Sequence, residues 1–334
     1  MANVKPDAKA LENVVADVQK ARIDALNDKR TILRSGMVSY AKYGKKSSFT
    51  DILTEDELKA LKTDDIVAQL KGLTNFQHTV FYYGSRPEAE AAKVVSTHHK
   101  VAPKLTPVPA ETKYPELPTA ANKVYFVNFP MVQAEVMMLS KGDNYNVPQR
   151  IMSEWYNDYF GSGLSSIMFQ EIREAKALAY STSASFGSPQ QADRSHYMTA
   201  YVGTQADKLK EAVTSVKAIV EDMPVSAAQI ETARGSILKK IESERITKDN
   251  IYWTYLAAKK LNLDHDVRAD VYATMQKATQ ADLIKFQTDN VKGRNYSILV
   301  MGDKTKIDME YLKTLGTVEE LSLKDVFGYE KNRP

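Results

Sequence analysis

FGSGLSSIMFQEIREAKALAYSTSASF, residues 160–186, is the stretch whose reading decides the fold. Gly161 and Gly163 soften a turn, and the segment from Ile167 to Ala175 has helix-forming composition. After it, Tyr180, Thr182, Ala184 and Phe186 alternate as one face of a strand. Arg173 and Tyr180 are the two large polar side chains able to grip a ligand. Arg173 can equally act as a cation offsetting the dipole at a helix end, with Glu171 or Glu174 as weak surface partners, and Tyr180 as half-buried core.

Outward from this stretch the pattern alternates between strands and helices. Strands are expected at 123–129 (KVYFVNF), 134–140 (AEVMMLS), 179–186, 195–202 and 296–303, the last being the final strand of the chain. A helix is expected at about 148–160. Leu209, Val213, Val216, Val220 and Met223 recur at helical spacing up to Pro224. Ser226 can cap a further helix, and KDNIYWTYLAAKKLNL and TQADLIKFQTDNV read as two more. On the N-terminal side, residues 8–43 read as one long helix, with Leu11, Val15, Val18, Ile23, Leu26, Ile32 and Met37 as its stripe. Thr54 and Glu57 form a capping-box pattern before a second helical region. HTVFYYG, residues 78–84, reads as a strand. Five prolines between Pro103 and Pro118 exclude helix and central strand, and mark an extended connection.

TDDIVAQLKGLTNFQHTVFYYGSR (63–86) can be laid over TQADLIKFQTDNVKGRNYSILVMGDK (279–304): threonine, polar helix, small loop, apolar strand, glycine. The expected organisation is therefore 1–98, the end of an incomplete domain of helices plus a closing strand; 99–121, a proline-rich linker; 122–325, a complete domain; and 326–334, a tail. One strand cannot make a sheet. The chain is expected to begin mid-domain, or to have its first sheet completed by another segment.

Composition excludes several functions. The 334 residues carry a net charge of +3, with 43% hydrophobic and 26% charged residues, so neither nucleic acid nor an anionic membrane surface is indicated. No apolar run is long enough for a membrane span, and no secretory leader is recognisable at Met1. Cysteine is absent, which removes disulfides, thiolate nucleophiles and cysteine zinc sites. The histidines are His78, His98, His99, His196 and His265. None has the spacing of a helical zinc pair, and His98 and His99 are adjacent and diverge. His78 and His196 fall in expected strands, as structural histidines. No hydrolase elbow or Walker loop is present. LKKIESERITKD is a solvated helix face, not an acid–base pair.

The 160–186 stretch resembles the pitrilysin/insulinase family of zinc peptidases, which includes the mitochondrial processing peptidases. Gly161, Gly163, Ser165, Ser166, Phe169, Glu171, Arg173, Glu174, Leu178, Ala179, Tyr180 and Ser181 match the family run. Ser162 departs from its glycine cluster, and Ala177 stands where the family has glycine. YYG closing one domain, PMVQAEVMM opening the next and the final SILVMGD extend the resemblance over about residues 10–325. It implies an α+β fold of tandem α/β roll domains, each a mixed sheet with helices packed on one face. The family's inverted His-x-x-Glu-His zinc site lies in its first domain and is missing here, so the resemblance is to the non-catalytic C-terminal part. No cofactor is then expected on this chain, and zinc is expected in the catalytic half, on the same polypeptide or a separate subunit. Arg173 and Tyr180, seven apart, match the pair that in larger members reaches toward the zinc site and holds substrate. A peptide substrate would meet the guanidinium fork and phenolic donor, and a sheet edge could hold it by strand addition. For location, the resemblance suggests a bacterial periplasm or cell envelope. The alternatives are a binding or assembly subunit of the same fold with no peptidase partner, and an independent enzyme.

Overall fold

The structure, a computed structural model, describes residues 3–161 and 163–329. In chain order its helices and strands are α1 (Ala8–Ala25), α2 (Val38–Tyr43), α3 (Glu55–Ala60), α4 (Thr63–Gly72), α5 (Glu88–His98), β1 (Lys123–Asn128), β2 (Gln133–Asn144), α6 (Val147–Tyr156), β3 (Ser181–Gly187), β4 (Ser195–Gln205), α7 (Leu209–Glu221), α8 (Ala227–Ser243), α9 (Asn250–Lys260), α10 (Arg268–Met275), α11 (Gln280–Asn290), β5 (Ser297–Gly302), α12 (Met309–Leu315), β6 (Thr317–Glu320) and α13 (Leu323–Phe327). Wide π-helical turns occupy Thr31–Met37, Asn157–Gly161 and Phe169–Ala175. The described residues divide into two compact units, one holding stretches 3–28 and 51–114 and the other stretches 29–50 and 115–329.

The larger unit is built on one mixed sheet in the order β3-β4-β2-β5-β1-β6. β1 runs parallel to β5 and β6, and β2 runs antiparallel to β4 and β5. The fold is thus α+β, with helices against a six-stranded mixed sheet. Alternation sorts the side chains. Val124, Phe126, Val136, Met138, Met198, Ala200, Ile298 and Val300 join the helices' apolar faces in one buried cluster. Trp155 of α6 ties that layer together by donating its indole N–H to the Ile230 carbonyl at 3.0 Å. The opposite sheet face is covered too, by the π-helical turn 31–37 and α2. Ile32, Leu33 and Met37 are fully buried, Tyr40 packs edge-on against Tyr125, and Arg34 lies 4.3 Å over the Tyr201 ring. Glu135 is buried on this face, held by Lys29 at 2.6 Å and by the Tyr201 hydroxyl at 2.9 Å.

Helix 8–43 is therefore not continuous. α1 ends at Ala25, and the chain restarts as a π-helical turn in the other unit. The apolar spacing runs through the break, but α1 buries none of its own residues. Thr54 and Glu57 do close a capping box. Residues 78–84 form no strand: the neighbouring contact is a single bridge from Phe76 to Thr106. Val80, Phe81, Tyr82 and Tyr83 stay exposed. Their composition favours a strand, but a strand forms only against a partner edge. SILVMG is not the last strand, because β6 follows it and pairs with β1. Ser226 takes the N-cap position of α8 without a side-chain cap bond.

Candidate functional site

The 160–186 stretch folds as expected in outline, and its backbone is fixed at several points. Gly161 lies against β3 so closely that a Cβ would sit 1.9 Å from the Ala184 carbonyl oxygen. Gly163 has φ +87°, a left-handed conformation that glycine adopts without strain. Ser162 lies outside the described residues. The Ser166 hydroxyl donates to the Gly163 carbonyl at 2.9 Å and accepts from the Phe169 amide at 3.3 Å, which starts the next helical turn. Ile167, Met168, Ile172 and Leu178 are buried beneath it.

Arg173 stands on the π-helical turn 169–175. Its guanidinium carbon is 4.9 Å from the Phe169 ring centroid, and its Nε is 3.8 Å from Glu174. The side chain is 46% exposed, so the ion pair is solvent-screened and weak. The connection to Tyr180 is short and locked. The Leu178 amide donates to the Ile172 carbonyl at 3.1 Å, and the Thr204 hydroxyl donates to the Leu178 carbonyl at 2.6 Å. The Tyr180 amide donates to Gly203 at 2.9 Å. Ala177 pays for this tight path with φ +51°, which explains why glycine suits that position.

Tyr180 is 53% exposed. Its hydroxyl accepts a hydrogen bond from Gln205 at 2.7 Å, leaving the phenolic proton free to be donated. Arg173 and Tyr180 thus flank one rigid connection, each with donors open to solvent. The half-buried core role for Tyr180 does not describe this side chain.

β3 is an edge strand, but its outer edge is largely occupied. Asn157 accepts from the Phe186 amide at 2.7 Å and donates to the Phe186 carbonyl at 3.2 Å. With Gly161 seated at Ala184, little free ladder remains for strand addition.

Among the described residues no group of three or more His, Asp or Glu side chains is placed to hold a metal ion. His78 and His99 do meet, Nε2 to Nε2 at 2.6 Å, with the His78 Nδ1 at 2.6 Å from the Phe76 carbonyl. Among the described residues no third His, Asp or Glu joins them to complete a metal-ligand set. His196 is buried in β4, stacked between Tyr145 and Phe186.

Residues 74–235 match the family model described as the peptidase M16 inactive domain. Over that stretch the chain is similar to the non-catalytic domain of M16 peptidases, in keeping with the resemblance carried by residues 160–186. No curated protein sequence matches the chain. Among solved structures it is similar to a peptidase M16 inactive domain from Pseudomonas fluorescens, at 16% identity and TM-score 0.65, covering 89% of this chain and 70% of that one. A protease from Helicobacter pylori gives TM-score 0.62 at 12% identity, covering 89% and 73%. The periplasmic protease PqqL from Escherichia coli gives 0.61 at 16% identity, covering 87% of this chain and 33% of that one. At these identities the likeness is one of fold. No helix among the described residues is long and apolar enough to cross a membrane.

The 160–186 motif singles out Arg173 and Tyr180 but not Asn157, whose partner Phe186 lies across the turn. The one signal for the strained loop was Ala177 standing where the family has glycine.

Proposed function

We propose that this chain is the non-catalytic, substrate-binding and chamber-closing half of a zinc-dependent peptidase acting on peptides or small unfolded proteins. The observation that carries the reading is the pair Arg173 and Tyr180. Both are half-exposed, on a connection locked by two backbone hydrogen bonds and one from the Thr204 hydroxyl, and neither is consumed by the core. A rigid frame makes them fit to meet an extended peptide, whose carbonyls accept and whose transition state develops an oxyanion. Gly161 and Gly163 position the frame without touching substrate.

The partner in this reading is a catalytic half bearing His-x-x-Glu-His and zinc, on the same polypeptide or a separate subunit. The domain 122–325, with residues 29–43 on its second sheet face, would be the closing lobe, after 1–98 and the linker 99–121. Closure would assemble the full set of donors, coupling capture to cleavage.

The test is peptide hydrolysis by the assembled enzyme. Arg173→Ala is expected to lower kcat/KM by roughly 10–100-fold, as loss of a transition-state donor does. Tyr180→Phe is expected to cost about tenfold. Wild-type kinetics in both variants would refute the assignment.

A further inference from the structure

A cavity lies in the larger unit, at the end of β3 away from Tyr180. It measures about 460 Å³ and is lined by Lys42, Glu116, Gln190, Arg194, Tyr197 and Lys260, among others. Lys42 comes from α2, Arg194 from the loop joining β3 to β4, and Lys260 from the end of α9. The backbone holds these walls in place. The Leu117 amide donates to the Lys42 carbonyl at 2.7 Å, and the Ala192 amide to the Lys260 carbonyl at 3.0 Å.

The lining carries three cations and one carboxylate. That carboxylate is engaged already: Glu116 accepts from the Ser195 amide at 3.1 Å and faces Lys141 at 3.9 Å. Lys42 is different. Its ammonium sits 3.9 Å from the Tyr197 ring centroid, and no hydrogen-bond acceptor reaches it among the described residues. Burial pushes its pKa down, and Glu116 restores only part of the shift. A desolvated ammonium without an acceptor is a group whose burial cost an incoming oxyanion offsets. The Glu116 carboxylate disfavours a dianion such as phosphate, so a monoanion fits better.

We propose that this cavity binds a carboxylate of a peptide, its C-terminus or an acidic side chain, with Lys42 as the desolvated partner and Arg194 and Lys260 beside it. The peptide part rests on the function proposed above, whereas the preference for an anion does not. The cavity reaches Gly187, seven residues along the strand from Tyr180, or about 23 Å at the usual rise of ~3.3 Å per residue. The two sites are therefore separable by mutation.

The test uses the full chain and fluorescence anisotropy at low salt. Three labelled eight-residue peptides share one neutral sequence: a free C-terminal acid, its amide, and the amide with one internal glutamate. The acid or the glutamate peptide is expected to bind about tenfold more tightly than the neutral amide, as a charge-assisted hydrogen bond allows. A gain for the acid alone identifies the terminus, and a gain for the glutamate peptide identifies a side chain. Lys42→Met keeps an apolar stem over Tyr197 and is expected to abolish the preference, with folding checked by thermal melting. Lys260→Gln, at an exposed position, is expected to reduce it about threefold. Equal binding of all three peptides, binding of none, or a preference that survives both variants overturns the proposal. Failure of the Arg173–Tyr180 reading looks different: Arg173→Ala and Tyr180→Phe would leave neutral-amide binding unchanged while the preference at Lys42 persisted.

Discussion

An alanine at position 161 would place a methyl carbon 1.9 Å from the Ala184 carbonyl oxygen and 2.5 Å from the carbonyl carbon. Ordinary contacts of this kind need about 3.5 Å or more, so the deficit exceeds ~1 Å against backbone. Neither side can yield freely. β3 is hydrogen-bonded to β4 along Ser181–Gly187 on one edge, and Asn157 grips Phe186 on the other. The turn carrying Gly161 is seated by Tyr156, Tyr159 and Phe160, all buried. Relief would require breaking the two Asn157 bonds, worth about 0.5–1.5 kcal/mol each, and overpacking the aromatic layer by about 1–3 kcal/mol. We expect Gly161→Ala to cost roughly 3 kcal/mol, lowering Tm by roughly 6–12 °C for a unit of this size. Gly163→Ala supplies the control. It has φ +87° but nothing within 4 Å of the new methyl, so only the backbone penalty of about 1–2 kcal/mol applies. Circular-dichroism melts of the two variants decide the matter. If Gly161→Ala melts no lower than Gly163→Ala, the close approach of the turn to β3 is not what glycine serves there.

Two further outcomes follow from single residues. Ala177→Gly is expected to stabilise the chain by about 0.5–1 kcal/mol, since it relieves a left-handed alanine at the expense of some unfolded-state entropy; an unchanged urea midpoint would count against strain at that position. Burial pushes the His196 pKa below its ordinary value of 6.5, outweighing the pull of the Asp143 carboxylate toward the charged form. The unfolded chain then binds the proton more readily, so the contribution of His196 is fully present above pH 6.5 and is lost as pH falls through the lower folded value. Urea midpoints should fall as pH drops below 6.5 in the wild type and less steeply in His196→Gln, and parallel profiles would refute the assignment.

What the sequence reveals depends on whether one segment settles its own environment. β1, β2, β4 and β5 are legible because apolar residues fill both faces of the sheet centre, and α7 because its stripe is continuous. β6 is not, because Thr317–Glu320 is short, half-polar and made a strand only by β1 beside it. The reverse error occurs at 78–84, where propensity is high but none of the described residues offers a partner edge. The break after Ala25 hides in the same way, since the apolar spacing of α1 runs on unchanged into a segment that packs in the other unit. At the site, Arg173 and Tyr180 are legible as a spaced pair within one motif. The Gln205 contact of Tyr180 is not, nor is the meeting of Lys42, Glu116 and Arg194, which arrive from three remote parts of the chain.

The constraints on β3 also bear on how a peptide could be held. An edge strand ordinarily offers alternate N–H and C=O groups to an added strand. Here the outward groups of Phe186 are taken by the Asn157 amide, whose two atoms reproduce what a neighbouring strand would supply. Gly161 occupies the space outside Ala184, two residues earlier on the same outward register. A peptide adding to β3 would have to displace both, along with the aromatic layer that seats them. Recognition at this end of the sheet therefore falls to side chains, and Arg173 and Tyr180 are positioned by the same packing that closes the edge. Freeing the edge by Asn157→Ala would therefore loosen the frame that holds Tyr180 rather than open a better peptide site.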